Sequence, residues 1–210
     1  MFAYYALILY KANGVMMKPK RFTCRLLAFV VATAATTAWC APKPAEWSRE
    51  PDKVMGIKLG EAIPAGSILE CKHLPIGADG PCIYRSRSDY LELQAMPDLG
   101  FAYDGLVVFA EGRVLALSLT FKQSRFTDMR TALELRYGPA SAEKSYSVTT
   151  GAGAVISSRQ FLWIGHRISL RLTERVGSID ESSAVFVDNA LSATEDATKG
   201  SKLAEGAKKF

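Results

Sequence analysis

The sequence contains little histidine and lacks the common local signatures of catalysis. Only His73 and His166 occur among its 210 residues, and no G-x-S-x-G pattern places a serine on a nucleophile elbow. The glycine-rich stretch 151–154 lacks the Gly-Lys-Ser/Thr ending of a phosphate loop, so it indicates a flexible loop. His166 lies in a predicted turn, where an exposed side chain is expected. The sequence therefore predicts no catalytic residue and no bound cofactor.

An excess of charge of one sign is also missing once the first forty residues are set aside. The formal net charge is +5, from 26 Lys and Arg against 21 Asp and Glu. Residues 1–40 hold five basic residues and no acidic one, so 21 basic residues remain to balance the 21 acidic ones. A neutral domain lacks the field that steers proteins to a phosphate backbone. We therefore expect no nucleic-acid partner.

The first forty residues have the layout of a secretion signal. A basic n-region precedes the uncharged run from Leu26 to Ala38, and its charges are Lys18, Lys20, Arg21 and Arg25. The uncharged run is shorter than the roughly 20 residues that span a bilayer, so we expect cleavage and no transmembrane anchor afterwards. Residues 1–15 are a further apolar run, interpreted as a start-site artefact ahead of Met16 or Met17.

Cleavage could follow Ala38 or Cys40, and the cysteines favour Cys40, because an even pair, Cys71 and Cys82, then remains. Lipidation of Cys40 is the minority alternative, since Trp39 precedes it where lipoprotein signals usually have a small residue. In an oxidising compartment we expect a disulfide between Cys71 and Cys82. A zinc site using these two thiols and His73 is the alternative, but a fourth ligand and paired C-x-x-C spacing are missing. No metal is predicted.

Beyond the signal the chain divides into three predicted parts. Residues 41–53 contain three prolines and no apolar period, which is typical of an extended linker. Residues 54–190 are predicted to form a single α+β domain. Residues 191–210 have few large apolar side chains, so a disordered tail is expected.

Strict alternation predicts antiparallel hairpins in this domain. One hairpin is predicted from strands 106–110 and 113–121, and a second from strands 160–164 and 167–173, with Val185–Val187 as a short final strand. In the second hairpin the turn is Gly165-His166. Its last strand has an apolar face made of Ile168, Leu170 and Leu172, and an outward face that carries Arg167 and Arg171.

Between the hairpins, residues 127–137 have the spacing of an amphipathic helix, with Thr127 as N-cap and Gly138-Pro139 as its end. The sequence thus predicts an α+β fold of antiparallel hairpins packed against one main helix. A duplicated helix-plus-sheet unit is a further hypothesis, since Gly56–Gly60, a loop and the first hairpin are echoed by the helix end, a loop and the second hairpin. The second half resembles the helix-plus-sheet modules of periplasmic lipoproteins such as the BamE class, but no diagnostic motif transfers a residue role.

Two functions follow from these patterns. The favoured one is an exported, non-catalytic interaction module of the periplasm or exterior that binds, inhibits or assembles a protein of the cell envelope. The alternative is a small secreted hydrolase with an unrecognised Ser, Asp or Glu site. For binding, we expect the second hairpin to be the contact surface, with Arg167, Arg171 and an anchor at Trp163. Packing of Trp163 in the core is the competing interpretation.

We predict that the exported protein begins near Ala41, because the basic n-region and the short apolar run form a cleavable signal. N-terminal sequencing of exported material measures this directly. A cytoplasmic product that keeps Met17 would contradict both the cleavage and the compartment.

Overall fold

The computed structural model describes residues 47–73, 80–151 and 153–208. The predicted signal, residues 1–40, and the first part of the predicted linker lie outside them. The described chain is α+β, as predicted: one antiparallel sheet of eight strands with two α-helices. The strands are β1 (Cys82–Ser86), β2 (Tyr90–Gln94), β3 (Tyr103–Ala110), β4 (Arg113–Lys122), β5 (Ala142–Thr149), β6 (Val155–Ile164), β7 (Ile168–Thr173) and β8 (Glu181–Asp188). The helices are α1 (Phe126–Tyr137) and α2 (Asn189–Ala207).

The sheet consists of two four-stranded meanders that lie side by side. Its strand order is β1-β2-β3-β4-β8-β7-β6-β5, so the meanders join where β4 pairs with β8. The two predicted hairpins are β3–β4 and β6–β7, whereas the sequence analysis did not predict β1, β2 or β5. Each meander is followed by a helix. The duplicated unit stays a prediction, because this repetition is one of topology and not of residues.

The hydrophobic core lies on one face of the sheet, and α1 contributes to it. Phe126, Met129 and Leu133 are the buried residues of α1, and the Phe126 ring lies 6.0 Å from the ring of Phe161 on β6. In β7 the alternating residues Ile168, Leu170 and Leu172 are fully buried, as the pattern predicted. The predicted N-cap is wrong by two residues, because Arg125 holds that position and its side chain makes no capping bond.

A segment we call the strap, residues 47–63, crosses one end of the sheet. At the start of the strap, the backbone N–H of Trp47 donates to the carbonyl of Ile164 at the end of β6. Near the end of the strap, the backbone N–H of Gly60 donates to the carbonyl of Val114 in β4. Its buried side chains are Trp47, Val54, Ile57 and Leu59. Residues 47–53 therefore belong to the fold, although the three prolines of 41–53 predicted a linker. Burial of the Trp47 ring outweighs the preference of prolines for an extended linker, because it removes apolar surface from water.

Both tryptophans of the described chain meet at the C-terminal end of α1. The indole N–H of Trp47 donates to the carbonyl of Tyr137 and that of Trp163 donates to the carbonyl of Gly138, each at 2.8 Å. The rings of Trp47 and Tyr137 also pack edge to face, with centroids 5.8 Å apart. Carbonyls at the end of a buried helix need donors from outside the helix. The strap and β6 supply them here.

The C-terminal region differs from the predicted disordered tail, since α2 continues to Ala207. The Asp188 carboxylate caps this helix by accepting a hydrogen bond of 2.8 Å from the N–H of Leu191. Leu191 is the only buried residue that α2 has within the described chain. The cap and the many Ala, Lys and Glu residues favour a helix without a large buried face. No helix in the described residues has the length and apolar character needed to cross a membrane.

Gly60 joins the strap to this cap. It has φ +82°, and a Cβ built on it would lie 2.6 Å from the Asp188 carboxylate oxygen Oδ2. A side chain at Gly60 would therefore be strained in its backbone and would also displace the N-cap of α2. Gly56 offers a matched comparison, because its φ is +80° but a Cβ there would meet no atom within 4 Å.

We expect Gly60→Ala to lower the free energy of unfolding by about 2 kcal/mol, from a left-handed alanine and a weakened cap. Gly56→Ala should cost only about 1 kcal/mol, because it adds the backbone strain alone. Urea denaturation of both variants measures the difference. Equal costs would mean that the contact between Gly60 and Asp188 contributes nothing to stability.

Candidate functional site

Trp163 is not available as a partner anchor. Its side chain is 0% exposed, lies on the core face of β6 and donates to the helix end described above. This full burial agrees with the competing interpretation of core packing, and the anchor role of Trp163 stays a prediction that is not proposed again. An indole needs both apolar burial and a partner for its N–H, and the core supplies both.

The β6–β7 turn is held by the strap. The Glu50 carboxylate accepts hydrogen bonds from the backbone N–H groups of His166, Arg167 and Ile168, at 2.9, 2.7 and 2.6 Å. A Cβ on Gly165 would lie 2.6 Å from the Glu50 carboxyl carbon, so the carboxylate fits only because that residue is glycine. The side chain of His166 is exposed, as predicted for a turn residue.

Arg167 and Arg171 have different surroundings. Arg167 lies in the turn and forms an ion pair with Asp52 of the strap at 3.0 Å, which lowers the pKa of that carboxyl mainly through the hydrogen bond from Arg167. Arg171 lies in the middle of β7 on the face opposite the core and is partly buried. Burial lowers the pKa of its guanidinium, and the nearby Tyr146 opposes this shift. A role for either arginine in partner binding stays a prediction.

The disulfide between Cys71 and Cys82 is present, as predicted. It uses both thiols that the alternative zinc site required, so that alternative loses two of its three ligands. His73 lies beside it with a side chain 64% exposed, 3.9 Å from the Glu70 carboxylate. The bond is compatible with an extracellular or periplasmic location.

A buried carboxylate, Glu174, and the basic and amide groups around it serve the fold. Its carboxylate accepts hydrogen bonds from the backbone and guanidinium of Arg159 and from the amide of Gln123, and it pairs with Arg175 at 3.3 Å. Burial raises the pKa of this carboxyl, but the bonds from Arg159 and the charges of both arginines outweigh burial and leave the pKa lowered. Because its own chain occupies this carboxylate so fully, the cluster is better suited to stabilising the sheet than to binding a ligand.

The two edge strands of the sheet, β1 and β5, differ in length, regularity and cover. β1 has five residues and a register shift between Ile83 and Arg85. A neighbouring segment lies beside it, because Ile83 donates its N–H to the carbonyl of Leu69 and pairs in parallel with Glu70. The disulfide fixes this segment to the strand. An open groove of about 370 Å³ lies next to it, lined mainly by apolar side chains. This edge is therefore short, irregular and covered.

β5 is the opposite edge and is long, regular and exposed. It pairs with β6 over eight residues without a register shift, and no described residue pairs with its outer side. Five consecutive residues, 143–147, are exposed. Natural sheets usually protect an edge of this kind with prolines, bulges, short strands or charged side chains, lysine in particular. β5 contains no proline, and its charged residues are Glu143 and Lys144.

The backbone groups on the open side of β5 can be assigned from the register. Thr150 donates its N–H to the carbonyl of Ala154 at 2.8 Å, and Tyr146 pairs with Ser158 in the same register. Backbone groups alternate in direction along a strand, so the even-numbered residues bond to β6. The N–H and C=O groups that point away from the sheet belong to Glu143, Ser145, Ser147 and Thr149.

This edge was missed in the sequence analysis, although two signals were present. Tyr146, Val148 and Thr149 are residue types that favour strands. Glycines follow them at 151 and 153, and the next strand begins at Val155, which is the spacing of a hairpin. The stretch 151–154 was interpreted as a flexible loop. In the structure Gly151 and Gly153 lie in the tight connection from β5 to β6, where Gly153 donates to the carbonyl of Thr150 at 2.9 Å.

Comparison with known proteins gives no relative for this chain: no family model, curated protein or solved structure matches it. The resemblance to the BamE class therefore gains no support.

The alternation along β5 has a measurable consequence. We expect the amide hydrogens of Ser145 and Ser147 to exchange at least about tenfold faster than those of Tyr146 and Val148, because only the latter bond to β6. Residue-resolved hydrogen exchange by NMR measures all four in one experiment. Slow exchange at the two serines would mean that the outer side of β5 is covered.

Proposed function

We propose that the protein is an exported, non-catalytic interaction module that receives an extended segment of a partner protein along the outer side of β5. The single observation that supports this is the open edge, with four residues whose backbone groups point away from the sheet. A segment that adds to such an edge gains main-chain hydrogen bonds, and side-chain contacts add selectivity. The expected partner is a protein of the cell envelope.

The difference between the two edges supports a binding role for the open edge, β5. An exposed edge is a liability, because it pairs with other strands and promotes aggregation. The chain covers β1 with a disulfide-linked segment and leaves β5 uncovered by any described residue. This difference between the edges makes β5 the better candidate for adding a partner strand.

Export is supported by the basic n-region and short apolar run of residues 1–40. A disulfide inside the folded domain is consistent with an oxidising compartment. The sequence predicts a contact surface at the second hairpin, but the strap occupies the β6–β7 turn. The proposed surface is therefore β5, one strand further out. The hydrolase alternative stays a prediction without a supporting observation.

Proline substitution at Ser147 tests the edge directly. Ser147→Pro removes an N–H that points away from the sheet and leaves the bonds between β5 and β6 intact, since proline is tolerated on an edge strand in this orientation. We expect native circular dichroism and a urea midpoint close to that of the wild type, with at least about a tenfold loss of partner affinity. Ser147→Ala is the matched control, because it keeps the N–H and should bind like the wild type.

The measurement has two stages. Envelope proteins recovered by the wild-type mature chain are first compared with those recovered by the two variants. The direct affinity of any selected partner and its protection of the Ser145 and Ser147 amides from exchange are then measured. A partner that binds the proline variant as well as the wild type would contradict an edge site. Hydrolysis of an envelope substrate, lost through one Ser, Asp or Glu substitution, would favour the hydrolase.

A further inference from the structure

The charges of the side chains at the β5 edge indicate which kind of segment would bind there. Register places the even-numbered residues of β5 on the same face as the even-numbered residues of β6 and the odd-numbered residues of β7. On this face, which is opposite the core, the only charged residues of these three strands are Lys144 and Arg171. Both are positive. Lys144 is exposed, and Arg171 lies two strands further in.

The backbone geometry brings a partner close to Lys144. Even-numbered residues of β5 bond to β6, so an antiparallel incoming strand meets them as non-hydrogen-bonded pairs. In such pairs the Cα atoms approach to about 4.5 Å and the side chains are closer than in the bonded pairs. Opposite charges in direct cross-strand positions stabilise pairing, and like charges weaken it. The side chain opposite Lys144 is thus the one whose charge affects binding most.

On the basis of the proposed function, we infer that the partner is a β-strand segment with a carboxylate side chain in the position opposite Lys144, not opposite the neighbouring Glu143. The next even-numbered residue of β5 is Tyr146, 37% exposed. It offers a ring to the partner residue two positions away from the carboxylate. Aromatic rings pair well with β-branched side chains across strands. The expected segment therefore alternates, with an acidic residue and a β-branched residue on the same face.

A charge-swap experiment tests this inference with defined probes. Three nine-residue peptides of alternating Thr and Val carry Glu, Gln or Lys at the central position. Each is titrated by NMR into the mature wild-type protein, Lys144→Gln and Lys144→Glu. We expect the Glu peptide to bind the wild type about fivefold more tightly than the Lys peptide. Lys144→Gln should remove most of this preference, and Lys144→Glu should reverse it. The preference should weaken at high salt, because the pair is exposed.

Other outcomes separate the inference from the proposed function. If all three peptides bind equally, and Ser147→Pro abolishes that binding, the edge site is supported and the acidic partner is rejected. If shifts at β5 depend on protein concentration without peptide, a second copy of this chain is the occupant and the acidic segment is rejected. If no peptide shifts β5 resonances and Ser147→Pro also leaves recovery of envelope proteins unchanged, both the function and its partner are overturned.

Discussion

The end of α1 imposes the constraint on which the strap and the second meander depend. A helix that stops beneath other elements leaves carbonyl groups that need donors, and an unpaired buried carbonyl costs about as much as a lost hydrogen bond. In this protein the donors are two indole N–H groups, one from the strap and one from β6. The indole of Trp47 thus holds the strap at the end of α1, and the indole of Trp163 holds β6 at the same end.

Docking of the strap has further effects along the end of the sheet. Once Trp47 is in place, Glu50 reaches the β6–β7 turn and accepts its three amide hydrogens. Further along, Gly60 passes against Asp188, the residue that caps α2. One short segment therefore links both meanders and the start of the last helix. These contacts occupy the β6–β7 turn, whereas the strand order leaves β5 as the open edge of the second meander among the described residues.

The parts of the fold that the sequence predicted are those with strong local patterns. The alternation at Ile168, Leu170 and Leu172 and the helix stop at Gly138 are visible in a few neighbouring residues. The strap was missed because its role depends on Ile164 and His166, more than a hundred residues away, while nearby prolines indicated a linker. The edge β5 was missed because exposed strands lack apolar alternation: Ser145 and Ser147 occupy positions where a buried strand would have apolar residues.

The tryptophans at the end of α1 also determine what the intrinsic fluorescence of this protein would report. Of three tryptophans in the sequence, Trp39 belongs to the predicted signal, so cleavage after Cys40 would leave Trp47 and Trp163. Both are buried at the same junction, where one ring belongs to the strap and the other to the sheet. Intrinsic fluorescence of the mature chain is therefore a local probe. It reports the seating of the strap on the sheet, with no need for an added dye.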